Sequence, residues 1–284
     1  MIVAATEREL RPAISKWRAK GERIGFVPTM GALHDGHLSL VDRAREHADA
    51  VVVSVFVNPT QFGPEEDFGR YPRDLERDVR LAGERGAAIV FAPDVAEMYP
   101  ESPLTRVTMS GVTDDYEGAS RPGHFAGMLT VVAKLFHIVQ PDVALFGQKD
   151  AQQAAAVRRM VADLDFPLEV VVSPTIREPD GLALSSRNAY LSAGDRREAL
   201  ALHAALERAE TLARDGVDDV ERLLDAMRTE LDRHPAVAVD YVALVDQDSF
   251  RPVRRLSGPT VAAVAARVGN TRLIDNVVLD PDGR

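Results

Sequence analysis

Short valine-rich runs alternate with amphipathic helical patterns through the first 175 residues, and that alternation restricts the fold more than any other feature. The runs occupy residues 24–27, 50–57, 88–92, 143–146 and 168–172. Helical patterns at 38–47, 74–85, 128–140 and 150–164 separate them. Continuous apolar strands divided by helices predict an α/β arrangement, with a mostly parallel sheet covered on both faces. Beyond Pro174 the pattern changes. Residues 176–190 read as a polar loop around Gly181. Ser192-x-x-Asp195 opens a long helix to about residue 214, and a second helix is expected over 217–233. Strands follow at 238–245, 260–267 and 271–279, with Gly269-Asn270 as a tight hairpin turn. The expected division is a parallel-sheet domain over residues 1–175 and a smaller α+β domain over 176–284.

Composition narrows the class. The chain has 284 residues, 45% of them hydrophobic, which is enough for a sizeable core. It has no cysteine, which excludes disulfides, thiolate metal sites and a cysteine nucleophile. Residues 1–10 carry charges and no apolar segment, so no secretory signal is expected. The longest apolar runs, such as 50–57, are too short to span a bilayer. A soluble, cytoplasmic protein without a membrane partner is expected. A net charge of −10 argues against nucleic acid as partner, while leaving room for a small anionic substrate in a local basic pocket. Only four lysines occur, Lys16, Lys20, Lys134 and Lys149, which makes the position of Lys149 worth weighing.

The segment Phe26-Val-Pro-Thr-Met30-Gly-Ala-Leu-His34-Asp-Gly-His37 stands at the first strand-to-helix junction. Pro28 is expected to end the strand, and Gly31 and Gly36 let the chain turn. A helix N-terminus attracts anions, and imidazoles placed there can donate hydrogen bonds to a phosphate. Two other readings stay open: a capping histidine beside a half-buried one, or a metal pair, although no third ligand is fixed nearby in sequence. Neither a Gly-Lys-Ser/Thr loop nor a Gly-x-Gly-x-x-Gly turn occurs. Nucleotide binding would therefore rest on the histidines and their partners.

Other polar clusters follow the strands. The second run ends at Asn58-Pro-Thr-Gln61, the fourth at Gly147-Gln148-Lys149-Asp150. With the histidine segment they converge on the C-terminal edge of the sheet, where ligands bind in such folds. Lys149 suits neutralising charge on a transferring phosphorus, or is an ordinary surface lysine. Asp150 reads as a helix N-cap, with Gln153 one turn on. Asn58, Gln61 and Gln153 are neutral amides able to bind hydroxyls and a carboxylate. Ser185-Ser186-Arg187-Asn188 offers several donors for phosphate oxygens, or is a solvated loop. Arg121-Pro-Gly-His124-Phe125 either seats a ligand or holds the start of the following helix. Asp78 either holds magnesium through water or is a solvated acid.

His34-x-Gly-His37 resembles the signature of the nucleotidylyltransferase superfamily. The ordered set is more specific: the Phe26–His37 segment, Val55-Phe-Val-Asn-Pro-x-Gln61-Phe, Tyr71-Pro-Arg73, Arg121-Pro-Gly-His124-Phe, Gly147-Gln-Lys-Asp150 and Leu184-Ser-Ser-Arg-Asn188. It resembles the pantothenate synthetase family over residues 26–191, while the C-terminal part is similar in size and pattern. Leu184 stands where that family often has methionine, and Gln148 where glutamate is also common.

The resemblance implies a Rossmann-like first domain, a second domain closing over the active site, and a homodimer. It also implies ATP and magnesium, with pantoate and β-alanine as small-molecule substrates. Met30, Gln61 and Gln153 would line the pantoate site. His34, His37, Lys149, Ser185, Ser186 and Arg187 would hold ATP phosphates, with Met30, Gly147, Asp150 and Leu184 completing the nucleotide site. His34, His37, Lys149 and Arg187 would carry the chemistry. Pantoate would attack the α-phosphorus to give an acyl adenylate, which β-alanine then opens. The rival readings are a transferase that leaves the nucleotide on its acceptor, a metal-dependent hydrolase, and a nucleotide sensor. A lysine, arginine and histidine set disfavours the sensor, since sensing needs no stabilisation of developing charge.

Overall fold

The computed structural model describes residues 1–64 and 66–280. They fall into two compact units, Met1–Gly147 with Ala156–Ser173, and Gln148–Ala155 with Pro174 onward. The chain order begins β1 (Ile2–Ala4), α1 (Glu7–Ala19), β2 (Ile24–Thr29), α2 (Asp35–His47), β3 (Ala50–Val55), α3 (Leu75–Glu84) and β4 (Ile89–Phe91). The single-turn helices α4 (Val95–Met98) and α5 (Glu117–Ser120) come next, then α6 (His124–Val139), β5 (Val143–Gly147), α7 (Ala151–Asp163) and β6 (Glu169–Ser173). The second unit adds α8 (Ala193–Arg214), α9 (Val220–Leu231), β7 (Val237–Asp246), β8 (Thr260–Val268) and β9 (Thr271–Leu279).

In the first unit six parallel strands lie in the order β1-β4-β3-β2-β5-β6, a Rossmann-like sheet. From β2 the chain builds outward through β3 and β4, then returns to lay β5 on the other side of β2. The order reverses between β2 and β5, where open parallel sheets leave a crevice beyond their C-terminal ends. The polar clusters picked out in the sequence follow β2, β3 and β5, which are neighbours in the sheet. Successive residues of β2 serve opposite faces. Val27 joins a cluster with Leu38, Val41 and Ala44 of α2. Phe26 packs edge-on against Phe136 of α6, with ring centroids 6.3 Å apart.

Three local expectations are corrected. Pro28 does not end the strand: β2 runs through it to Thr29, pairing Pro28 with Ser54. The ladder from β2 to β5 covers only Gly25 and Phe26, so Pro28 lies beyond the stretch where both edges are paired, and its missing N–H costs little there. The helix expected from residue 38 starts at Asp35, because His34 itself caps it. β1 and α1 stand where the sequence pattern suggests no element. A three-residue edge strand leaves no periodic signal, although Thr6-x-x-Glu9 forms a full capping box at the start of α1.

In the second unit the antiparallel sheet has the order β7-β8-β9. Helices α8 and α9 pack on it through Leu202, Leu206, Leu223 and Met227, against Leu244, Val264 and Leu273. The hairpin turn is Gly269-Asn270, as the sequence suggests. Ser192 caps α8 by accepting from the Asp195 amide at 3.1 Å. The Asp195 carboxylate in turn accepts from the Ser192 hydroxyl, at 2.7 Å.

Candidate active site

The loop after β2 is shaped by one carboxylate. Gly31 and Ala32 adopt φ of 85° and 52°. A Cβ on Gly31 would lie 2.8 Å from Oδ2 of Asp78 and 2.9 Å from Cγ1 of Val55, so only glycine lets the loop pass. Asp78, on α3, is 1% exposed. Its two oxygens accept from the amides of Ala32 and Leu33, each at 2.8 Å. Arg77 stands 3.8 Å from the same carboxylate and donates to the Leu33 carbonyl. Asp78 therefore braces the loop, with both oxygens engaged by backbone, and its burial corrects the reading of it as a solvated acid. Among the described residues no three histidine, aspartate or glutamate side chains stand together as a metal set.

The braced loop delivers His34 and His37 to the N-terminus of α2. His34 is extended at φ −133° and caps the helix. Its Nδ1 accepts from the Gly36 amide at 3.2 Å, and the His37 Nδ1 accepts from the His34 amide at 3.4 Å. The rings lie 4.1 Å apart, inclined by 33°. An imidazole that accepts at Nδ1 is neutral and carries its proton on Nε2. Backbone geometry therefore fixes both histidines as Nε2–H donors where the helix dipole favours an anion.

Beside them is a buried amide hub at the end of β3. Asn58, 1% exposed, donates to Gln61 Oε1 at 3.0 Å and to the Gly127 carbonyl at 3.2 Å. Its Oδ1 accepts from the Thr60 hydroxyl and the Tyr99 hydroxyl, both at 2.9 Å. A side chain so fully used is a scaffold for Gln61 rather than a ligand contact. Gln61 in turn points Nε2 at the Met30 sulfur, 3.3 Å away. Thioether sulfur is a weak acceptor, so a ligand carboxylate or hydroxyl would be the better partner. The structure thus brings Met30 and Gln61 together.

Arg121 and His124 hold this turn from behind. Arg121 forms a two-pronged pair with Glu66, both contacts 2.7 Å, and places Nη1 3.1 Å from His124 Nε2. The His124 Nδ1 lies 2.9 Å from the Gln61 carbonyl. Arginine only donates, so Nε2 accepts and Nδ1–H donates to Gln61. Burial, joined by the Arg121 charge, pushes His124 down to about 4. Burial would raise Glu66, but the Arg121 guanidinium outweighs it and holds that carboxyl below its ordinary value. The helix-holding reading of this segment is the one its contacts match.

In the second unit, Gln148-Lys149-Asp150 forms one 3-10 turn ahead of α7. The Lys149 ammonium is 3.8 Å from the Asp150 carboxylate, and Gln153 is half-buried in the first turn of α7. Gly147, the last residue of β5, directly precedes this turn. Leu184 closes a small hairpin: its amide donates to the Ile176 carbonyl at 2.9 Å, and Arg177 bridges to Ala183. Ser185 then caps a 3-10 turn, Ser186–Tyr190, by accepting from the Arg187 amide at 3.2 Å. Asn188, grouped with the donors in the sequence, spends its amide on Glu178 and the Ala183 carbonyl, at 2.8 and 3.0 Å. It shapes the loop.

Sequence reasoning passed over Glu66, Tyr99, Arg177, Asp275 and Asn276. For the last two a signal existed. Neighbouring strand residues face opposite ways, so the polar pair Asp275-Asn276 in an apolar strand puts one polar side chain on each face. Both are 4% exposed.

The family pattern described as Pantoate-beta-alanine ligase matches residues 2–278. Pantothenate synthetase of Moorella thermoacetica is 53% identical over 280 residues, covering 99% of each chain. That of Acidobacterium capsulatum is 56% identical over 282 residues, 98% of this chain and 94% of its own. The crystal structure of pantothenate synthetase from Thermus thermophilus superimposes with a TM-score of 0.94 at 50% identity, covering 99% of this chain and 100% of that one. Pantoate-beta-alanine ligase from Francisella tularensis, complexed with beta-gamma ATP and beta-alanine, gives 0.79 at 33% identity, covering 99% and 100%. A match that runs at this identity through almost the whole of both chains means that the chain belongs to the pantoate–β-alanine ligase family.

Proposed function

We propose that this enzyme joins pantoate to β-alanine through a pantoyl-adenylate intermediate, releasing pyrophosphate and then AMP. The observation that carries the reading is the pair of backbone-locked Nε2–H donors, His34 and His37, at the N-terminus of α2. They are neutral, directional donors suited to phosphate oxygens. Lys149, Ser185, Ser186 and Arg187 supply the remaining donors to the triphosphate, with Gly147, Asp150 and Leu184 completing the nucleotide site. Met30, Gln61 and Gln153 bind pantoate, the amides offering donors to its carboxylate and hydroxyls without adding negative charge.

In the first step a pantoate carboxylate oxygen bonds to the α-phosphorus, and the bond from that phosphorus to the bridging oxygen breaks. Pyrophosphate leaves with the electron pair. In the second, the β-alanine nitrogen bonds to the acyl carbon, the acyl–oxygen bond breaks, and AMP departs as the amine loses a proton. No enzyme nucleophile is needed. Positioning and charge stabilisation do the work, and Lys149 opposes the charge that builds on the five-coordinate phosphorus.

Magnesium would accompany ATP, since one or two carboxylates and the substrate's own phosphates suffice to hold it. It would neutralise charge on the phosphates while keeping several of its waters. A cytoplasmic homodimer is the working state we propose. No helix among the described residues is long and apolar enough to cross a membrane.

The test is an assay of AMP and pyrophosphate with protein, magnesium, ATP, pantoate and β-alanine, each omitted in turn. Pyrophosphate should appear for one turnover without β-alanine and never without pantoate. A strict need for β-alanine before any pyrophosphate forms would rule out the separate adenylate step, and a nucleotide retained on the acceptor would turn the enzyme into a transferase.

A further inference from the structure

Within the second unit, β9 holds two catalytic-side segments by consecutive residues on opposite faces. Asp275 binds Arg177 through both of its oxygens, at 2.6 and 3.1 Å, and Arg177 also donates to the Gly181 carbonyl. This ties down the hairpin that leads into Leu184 and Ser185. Asn276 faces the other way. Its Nδ2 donates to the carbonyls of Gln148 and Lys149, at 3.0 and 2.9 Å, and its Oδ1 accepts from Gln148 Nε2 at 2.8 Å. Both amide protons and the carbonyl are used, and the side chain is 4% exposed.

We infer that Asn276 is a positioning residue for Lys149: it fixes the backbone from which the lysine projects, and so the place of the ammonium at the transferring phosphorus. The inference rests on the reading of Lys149 as the charge-stabilising group. The physical reason is leverage. A lysine side chain has four rotatable bonds beyond Cα, so a small tilt of its peptide planes becomes a large displacement at Nζ. Two hydrogen bonds to successive carbonyls remove that tilt, and the strand that supplies them is paired along its length with β8. Misplacement of a catalytic group by about 1 Å costs up to ~100-fold in rate.

A double-mutant cycle tests it, with single-turnover formation of the acyl adenylate as the rate and titration calorimetry with magnesium–ATP as the affinity. Asn276→Ala should slow adenylation roughly ten- to a hundredfold while ATP affinity changes little, because the loss falls on the transition state. Asn276→Asp keeps the shape and the acceptor but loses the donors, and should be as slow; it also serves if the alanine variant folds poorly. In a Lys149→Ala background, removing Asn276 should cost nothing further, since the group it positions is gone. Multiplying effects of the two changes would overturn the proposal, as would a wild-type rate for folded Asn276→Asp. A wild-type rate for Lys149→Ala alone would instead overturn the reading of Lys149, and the proposal with it, so the two failures are told apart.

Discussion

The amide hub around Asn58 and the turns that carry Lys149 and Ser185 are built on opposite plans. In the hub, side chains hold side chains. Asn58, Gln61, His124, Arg121 and Glu66 form one chain of contacts, and its central members are buried. In the second unit's turns Lys149, Ser185, Ser186 and Arg187 are partly exposed, and what is held is the backbone beneath them, by Ser185, Asn188 and Asn276. The histidine loop follows the second plan, with Asp78 gripping amides. The difference teaches where damage goes. A change in the hub strikes folding and binding together, because removing one member leaves buried polar groups unpaired. A change at the tip of a backbone-braced turn strikes chemistry and leaves the fold intact.

The contrast can be broken most sharply at His34. His34→Ala should lower adenylation by ~10²–10³-fold, the scale for one preorganised donor, while the lost cap on α2 lowers unfolding stability by no more than about 1 kcal/mol. Near-normal turnover, or a large loss of stability, would erase the contrast on the histidine side.

A second test uses pH on the hub. His124 titrates at about 4 in place of an ordinary 6.5. Above 6.5 it is neutral in folded and unfolded chains alike, and pH has no leverage through it. As pH falls from 6.5 toward 4 the unfolded chain takes up a proton that the folded chain refuses, so stability declines, by on the order of 3 kcal/mol in all. Below about 4 both states are protonated and this loss levels off. Urea melts across that range should show the decline, and His124→Gln should flatten it. An unchanged slope in the variant would mean that the buried imidazole is not what the acid limb reports.

The smallest effect sharpens the comparison from the structural side. Asn58→Ala should cost roughly 1–3 kcal/mol in urea unfolding, the range for leaving a buried polar group unpaired. It should weaken pantoate binding in step, since Gln61 loses the partner that orients its amide. A variant with parental stability and poor pantoate affinity would make Asn58 a direct ligand contact instead.

What was legible in the sequence was local. The valine-rich runs became β2 to β6, and the Gly269-Asn270 hairpin fell where the turn residues put it. The histidine, lysine and serine–arginine segments could be read because their donors are contiguous or one turn apart. What was hidden is long-range. Asn276 meets Gln148 across 128 positions, Asp275 meets Arg177 across 98, and Glu66 meets Arg121 across 55. Such pairs create no period of 2 or 3.6. Asp78 shows the cost most clearly. An acid on an amphipathic helix has the same look whether it binds a metal, water or two amides, and only the path of the loop after β2 decides.

That carboxylate has a consequence for motion. Loop amides normally exchange their protons with water quickly, because nothing holds them. Those of Ala32 and Leu33 end on a side chain that is 1% exposed, and releasing them means dislodging α3 from the sheet. Their exchange should run on the timescale of global opening, as strand amides do. If this loop receives the triphosphate as proposed, it is already set before ATP arrives, and no ordering entropy is lost there on binding.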